Sequence, residues 1–253
     1  MKENFSYKIF NEKKTSNYIL ICDHATNLID YKISKNSLNL SKKDLKRHIA
    51  YDIGALELSK LLSNKLNCIL IHTIFSRLLI DPNRDPKDPT SIMKFYDKTI
   101  IDGNISLTGK EKKLRIKNLY SPYHKKISEI IIENTKINNG HPPKIISVHS
   151  FSKELSDNEI RPWDVGVLWF KKNNFSNKLL NNLKKNKKLT IGENEPYDGS
   201  LPGSTLDKQC KKLKIEHALL EVRNDHLTTT NSVNKWAKLI YQNIKEIEKI
   251  EKS

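Results

Sequence analysis

Five short apolar runs constrain the fold of this chain more than any other feature: YILIC (18–22), CILIHTIF (68–75), IISV (145–148), VGVLWF (165–170) and ALLEV (218–222). A strand with one wet face alternates apolar and polar residues. These runs do not alternate, so they read as strands covered on both faces, the pattern of a mostly parallel sheet between helical layers. Helical signals lie between them. Ser41 with Asp44 three residues on, flanked by Leu40 and Leu45, predicts a helix start, and Leu45, Ile49, Ile53 and Leu56 recur at helical spacing. Ser121-Pro122 predicts a second helix start. A third helix, over 231–250, carries Trp236, Ile240, Ile244 and Ile247 on one stripe. No repeat, linker or low-complexity segment divides the 253 residues. The expected architecture is α/β: a single domain over 1–253, with a mostly parallel or mixed twisted sheet flanked by helices.

Composition removes several classes of function. At 37% hydrophobic the chain can bury a core. It has no run of 18 apolar residues, and its start, MKENFSYKIF, lacks the apolar core of a signal peptide, so the expectation is a cytoplasmic protein with no membrane partner. Cys22, Cys68 and Cys210 are distant and odd in number, which reads as reduced thiols. The net charge of +16 invites a nucleic-acid reading. The lysines, however, spread over helix faces (Lys42, Lys43, Lys60, Lys184, Lys185, Lys187, Lys188) without interleaved aromatics, so no nucleic-acid partner is expected.

Polar residues cluster where the apolar runs end: Asp23-His24 after YILIC, His149-Ser150 after IISV, and Glu221, Arg223 and Asn224 in ALLEVRND. Ligands of open α/β sheets bind outside the carboxyl ends of the strands. Two histidines and a carboxylate could converge there, with Asp52 and His48 four apart on the expected first helix. Two His and one carboxylate, with a second carboxylate left unligated, is the inventory of a catalytic zinc site. Hydrogen-bonded strand-end histidines are the competing reading. No G-x-S-x-G elbow and no G-x-x-x-x-G-K-[ST] loop occurs, which disfavours serine-hydrolase and phosphate-loop chemistry. Arginine is the other signal. The chain has six Arg against 39 Lys, yet Arg77 and Arg84 both fall in SRLLIDPNRDP (76–86). A guanidinium fork grips a carboxylate in fixed register where an ammonium cannot. Structural pairing with Asp81 or Asp85 is the alternative.

The blocks CDHATN, HIAYDIGALELSKLL, SRLLIDPNRDP, YSPYHKKI, SVHSF, RPWDVGVLW, GENEPYDG and HALLEVRND, in that order from about 20 to 226, resemble the N-formylglutamate amidohydrolase family. The resemblance implies a phosphorylase/hydrolase-like α/β zinc hydrolase, similar in plan to zinc carboxypeptidases and peptidoglycan amidases. It implies one divalent ion, zinc, held by His24, Asp52 and His149, with Asp23 or Asn27 as alternatives to Asp52. A carboxypeptidase-like H-x-x-E is absent, because Asn27 stands three residues after His24. Glu221 becomes the general base, and Arg77, His217 or His124 would steady the oxyanion. Asn83-Arg84 resembles the carboxylate-gripping pair of zinc carboxypeptidases. Arg161, Arg223 and Asn224 fall in other family blocks as candidate substrate contacts, and GENEPYDGSLPGST reads as a pocket-walling loop. Glu193 and Glu195 within it would meet a substrate amine or an arginine, or face solvent. The implied activity is hydrolysis of a linear amide in a small N-formyl or N-acyl amino acid. Two alternatives are the same chemistry on a peptide-like or cell-wall amide, and a basic RNA-associated protein on this fold.

Overall fold

A computed structural model of the protein describes residues 4–154 and 160–252. Its main sheet has seven strands in the order β1-β3-β2-β6-β9-β7-β8. These are β1 (Tyr7–Phe10), β2 (Tyr18–Cys22), β3 (Ile69–Thr73), β6 (Lys144–Phe151), β7 (Val165–Leu168), β8 (Ile191–Glu193) and β9 (His217–Arg223). A separate two-stranded hairpin pairs β4 (Phe95–Tyr96) with β5 (Thr99–Ile100). The central strands β3, β2, β6 and β9 run parallel, whereas β1 pairs antiparallel with β3 and β7 antiparallel with β9. The sheet is therefore mixed, and the domain is a single α/β unit. The helices are α1 (Ala55–Leu66), α2 (Asp102–Ile105), α3 (Gly109–Arg115), α4 (Ser121–Ile137), α5 (Asn174–Lys184), α6 (Thr205–Cys210) and α7 (Thr230–Lys252).

Both faces of the sheet are covered, which is why its strands read as unbroken apolar runs. Along β2, Leu20 packs with Leu58 and Leu62 of α1, Phe175 and Leu179 of α5, and Trp236, Ile240 and Ile244 of α7. Ile19 and Ile21 point the other way, to Tyr123, Ile127 and Ile130 of α4 and Leu206 of α6. A third cluster, including Ile49, Ala50, Leu78 to Ile80 and Leu119, lies under the long connections that follow β2 and β3. All three cysteines are buried and free. No helix among the described residues is long and apolar enough to cross a membrane.

Two helix starts differ from expectation. The Ser41 cap forms, with the Asp44 amide donating to Ser41 Oγ at 3.1 Å, but it closes only a 3-10 turn over Asp44–Lys46. The helix proper begins at Ala55, after Gly54 in the left-handed region at φ 78. A Cβ on Gly54 would lie 2.4 Å from Leu227 Cβ, so this close approach excludes any larger residue. Between them tertiary contacts override the helical period: Ile49 and Ala50 enter the third cluster, Ser76 Oγ donates to Ala50 O, and the Asp52 amide donates to His24 O at 2.9 Å. Asp52 and His48 thus sit in irregular chain, not on a helix face. α4 does begin at Ser121, with Pro122 in its first turn as expected, but Ser121 is itself helical and caps nothing, because the chain enters it from a preceding helix. Thr108 caps α3 with Glu111, and a π turn over Ile116–Tyr120 carries it into α4. Pro122, which has no amide hydrogen, follows directly on that widened turn. The strands β1 and β8 and the hairpin were not anticipated; they are short, of two to four residues.

Candidate active site

Parallel pairing brings the polar strand ends together. His149 on β6 stands in register with Glu221 on β9, and His24 lies two residues past the end of β2, the other neighbour of β6. Asp52, delivered by the turn before α1, completes the cluster. Its Oδ2 lies 2.8 Å from His149 Nδ1 and 3.2 Å from His24 Nδ1. One ligand atom from each of His24, Asp52 and His149 lies within 4.8 Å of the others, and all three residues are buried.

The far nitrogen of each imidazole is also engaged. His24 Nε2 is 2.8 Å from Asp81 Oδ1. His149 Nε2 is 3.0 Å from Ser147 Oγ and 3.4 Å from Asp23 Oδ2. Carboxylates that hold a histidine by its outer nitrogen direct the inner one toward a metal. A neutral imidazole has one N–H. If that hydrogen faces Asp81 or Asp23, a bare Nδ1 lone pair faces the Asp52 oxygen, which is repulsive unless a proton or a cation lies between. The donor set therefore fits a divalent cation of the N/O-ligand type. Without one, the cluster must hold protons. Burial alone would push the His149 pKa down, but the hydrogen bonds it donates to Asp23 and Asp52 raise it well above the usual imidazole value. Burial likewise works against the Asp81 carboxylate, yet Arg77 and His24 hold it well below the ordinary range.

Glu221 faces this cluster from β9 and is 6% exposed. Its Oε2 has no hydrogen-bond partner among the described residues. Burial, reinforced by Asp52, pushes its pKa up to about 7 against the opposing pull of His149 and His24. A carboxyl group in that range can accept and return a proton near neutral pH. Opposite it on β7 is Gly166, where a Cβ would come within 1.8 Å of Glu195 O. That absence of a side chain lets the loop after β8 fold over the site.

A pocket of about 470 Å³ opens at the cluster, in the size range of small-molecule sites. His24, Asp52, His149, Glu221, Arg77, Asn83 and Arg84 all line it, as does the 196–204 part of the predicted loop. Arg77 is bound by its own protein, with Nη2 2.6 Å from Asp81 and Nη1 3.6 Å from Asp52. Arg84 is different: among the described residues its guanidinium bonds only to Asn83 O, through Nη1, while Asp85 pairs with Lys208 instead. The loop beneath Arg84 is tightly held. Tyr120 Oη donates to Arg84 O, His124 Nε2 lies 2.9 Å from Pro82 O, and the Thr205 amide donates to Asn83 Oδ1.

Other expected residues lie elsewhere. His124 supports the Pro82 backbone and does not line the pocket. His217 begins β9, four residues and roughly 13 Å from Glu221. Arg223 is tied to Asp164 and Asp225, and Asn224 donates to Ser152 Oγ; neither lines the pocket. Arg161 stands behind the rim, donating to Tyr197 Oη at 2.6 Å with its guanidinium 4.7 Å over that ring. Asn27 donates to Leu45 O, and Asp23 backs His149. Glu193 pairs with Lys172 and Lys184 at the surface. Asp81, expected only as an arginine partner, stands behind His24; Tyr197 and Ser204 of the expected walling loop line the pocket, as does Tyr96, which carried no sequence signal. His48 lines it as well, with a buried Nε2 that has no partner among the described residues and its ring edge-on to Tyr96.

Fold and site together define an α/β protein with a ligand pocket and a metal-capable His-Asp-His cluster at the carboxyl ends of its parallel strands. The model of the N-formylglutamate amidohydrolase family matches residues 16–228, and the chain belongs to that family. Among solved structures, a gene product from Agrobacterium tumefaciens is similar at 28% identity with a TM-score of 0.90, over 97% of this chain and 96% of that one. An N-formylglutamate amidohydrolase from Ralstonia eutropha shares the fold with a TM-score of 0.68 and 15% identity, over 97% of this chain and 98% of that one. No curated protein matches the sequence.

Proposed function

We propose that the protein hydrolyses a linear amide bond in an N-formyl or N-acyl amino acid, with one divalent ion, zinc, held by His24, Asp52 and His149. The observation that carries this reading is the pairing of two imidazole Nδ1 atoms on one Asp52 oxygen, with a buried Glu221 beside them whose Oε2 has no partner among the described residues. Bound there, the ion would supply Lewis acidity to the amide carbonyl and the attacking water. Glu221 takes the proton from that water and returns it to the departing amine nitrogen. Asp81 and Asp23 keep the two imidazoles in the tautomer and orientation the site requires. Arg84, with the Asn83 side chain beside it, holds the substrate carboxylate through two-pronged hydrogen bonds. The loop around Tyr197 shields the reacting atoms from bulk water.

Metal analysis and amine release test this directly. Purified protein should carry close to one zinc per chain and release amine from N-formyl amino acids. Glu221→Gln should retain the zinc and the fold but lose turnover by at least about a thousandfold, since an amide cannot act as the base. Activity within a factor of about ten of wild type would remove Glu221 from the chemistry.

A further inference from the structure

The kind of amino acid accepted is written in the wall beside Glu221; this step rests on the amide-hydrolase reading and extends it. Leu219 precedes Glu221 by two residues on β9, so both side chains stand on the same face of the sheet. Its cross-strand partner on β7 is Leu168, just as Gly166 is the partner of Glu221. Leu206 of α6 belongs to the same apolar cluster, and the half-buried Leu201 lines the same pocket from the loop after β8. Leu168, Leu206 and Leu219 are 2%, 2% and 7% exposed, so the wall is a built part of the core and not a loose surface patch.

Charge points the same way. Of the two arginines lining the pocket, Arg77 is neutralised by Asp81 and Asp52, and Arg84 has no carboxylate partner among the described residues. Asp198 and Glu221 also line the pocket, whereas Asp52 is already shared among Arg77, His24 and His149. One substrate carboxylate therefore finds a free guanidinium. A second, carried on the amino-acid side chain, would meet the leucine wall beside Glu221, and would lose its hydration with no second unpaired guanidinium among the described residues of the pocket to replace it. An aliphatic side chain in that place gains from leaving water.

We propose that this chain hydrolyses N-formyl or N-acyl derivatives of amino acids with aliphatic side chains, of the leucine and methionine type, in preference to the glutamate derivative. Leu168, Leu206 and Leu219 form the side-chain subsite, and Leu201 guards its rim.

The test compares kcat/KM of the zinc-loaded enzyme for N-formyl-L-leucine, N-formyl-L-methionine and N-formyl-L-glutamate. The expected result is a preference of at least about tenfold for the two aliphatic substrates. Leu201→Arg, with folding checked by circular dichroism and melting temperature, supplies a second cation at the rim and should shift the leucine-to-glutamate ratio toward glutamate by about tenfold. Should that variant fail to fold, the wild-type ratio alone decides. Equal or faster turnover of the glutamate derivative overturns the aliphatic subsite while leaving amide hydrolysis intact. A folded Leu201→Arg enzyme with an unchanged ratio overturns the assignment of the wall. No turnover of any of the three substrates by zinc-loaded protein overturns both this inference and the activity it rests on.

Discussion

At the scale of single residues, the site depends on which partner each charged atom already has. Arg77 and Arg84 are seven apart in one segment, and only their neighbours distinguish them: Arg77 is fixed by Asp81 and Asp52, whereas Arg84 lines the pocket without an ion-pair partner among the described residues. Arg84→Lys should therefore cost roughly ten- to a hundredfold in kcat/KM, mainly through KM, because hydrogen bonds to a charged group are worth ~1.5–3 kcal/mol and lysine cannot make the fork. Steady-state kinetics on a carboxylate substrate and its neutral amide analogue check this: the mutant should discriminate between the two much less than wild type does. His124 gives a prediction on stability instead of activity. It donates toward Pro82 O and receives from Gln209, and burial lowers its pKa to about 4. The unfolded chain therefore binds a proton first as pH falls below the ordinary histidine value, and stability is lost between pH 6.5 and about 4. Denaturant melts at pH 7 and pH 5 should show His124→Gln losing less stability on acidification than wild type, by on the order of 1–2 kcal/mol.

At the scale of elements, strands were easier to read than helix starts. A buried strand writes itself as a continuous apolar run because both faces are covered, and β2, β3, β6, β7 and β9 all fall within or around the five runs. The edges β1 and β8 are short and partly exposed, so they carry no such mark. The Ser41 signal is real chemistry, a hydroxyl accepting an amide hydrogen, but local capping contributes only about 1 kcal/mol. It could not outweigh the packing of Ile49 and Ala50 and the Gly54 contact that bend the chain before α1. The loop after β8 was recognisable by its glycines and prolines, yet what seats it is Gly166 on another element. Gly166→Ala should force that loop off the sheet, since the added carbon would overlap Glu195 O at 1.8 Å. We expect kcat/KM to fall by tenfold or more, with fluorescence of a probe attached in the 196–204 loop reporting its displacement; unchanged kinetics would mean the loop has no part in the site.

For the molecule as a whole, the buried cluster links metal binding to folding. Two histidines and the carboxylates of Asp23, Asp52 and Asp81 are almost fully enclosed. A cation at their centre would bind the native state and not the unfolded one, so chelation should lower the melting temperature and His149→Ala should abolish that difference along with zinc retention. Calorimetry with and without a chelator measures it. The α/β class, the strands of the sheet centre and a set of chemically suited residues at their carboxyl ends are legible in the residue order, because burial and strand ends leave a local trace. Which of those residues meet depends on the packing of distant segments. His217 and Glu221 share one strand, but pairing puts Glu221 alone beside His149. Arg223 and Asn224 belong to a family-like block and yet turn to Asp164 and Ser152. Asp81 stands behind His24 across 57 residues, and Leu168 stands beside Leu219 across a reversed strand. Such partnerships are set by sheet order and register, which arise from long-range packing and leave no mark in the spacing of residues along the chain.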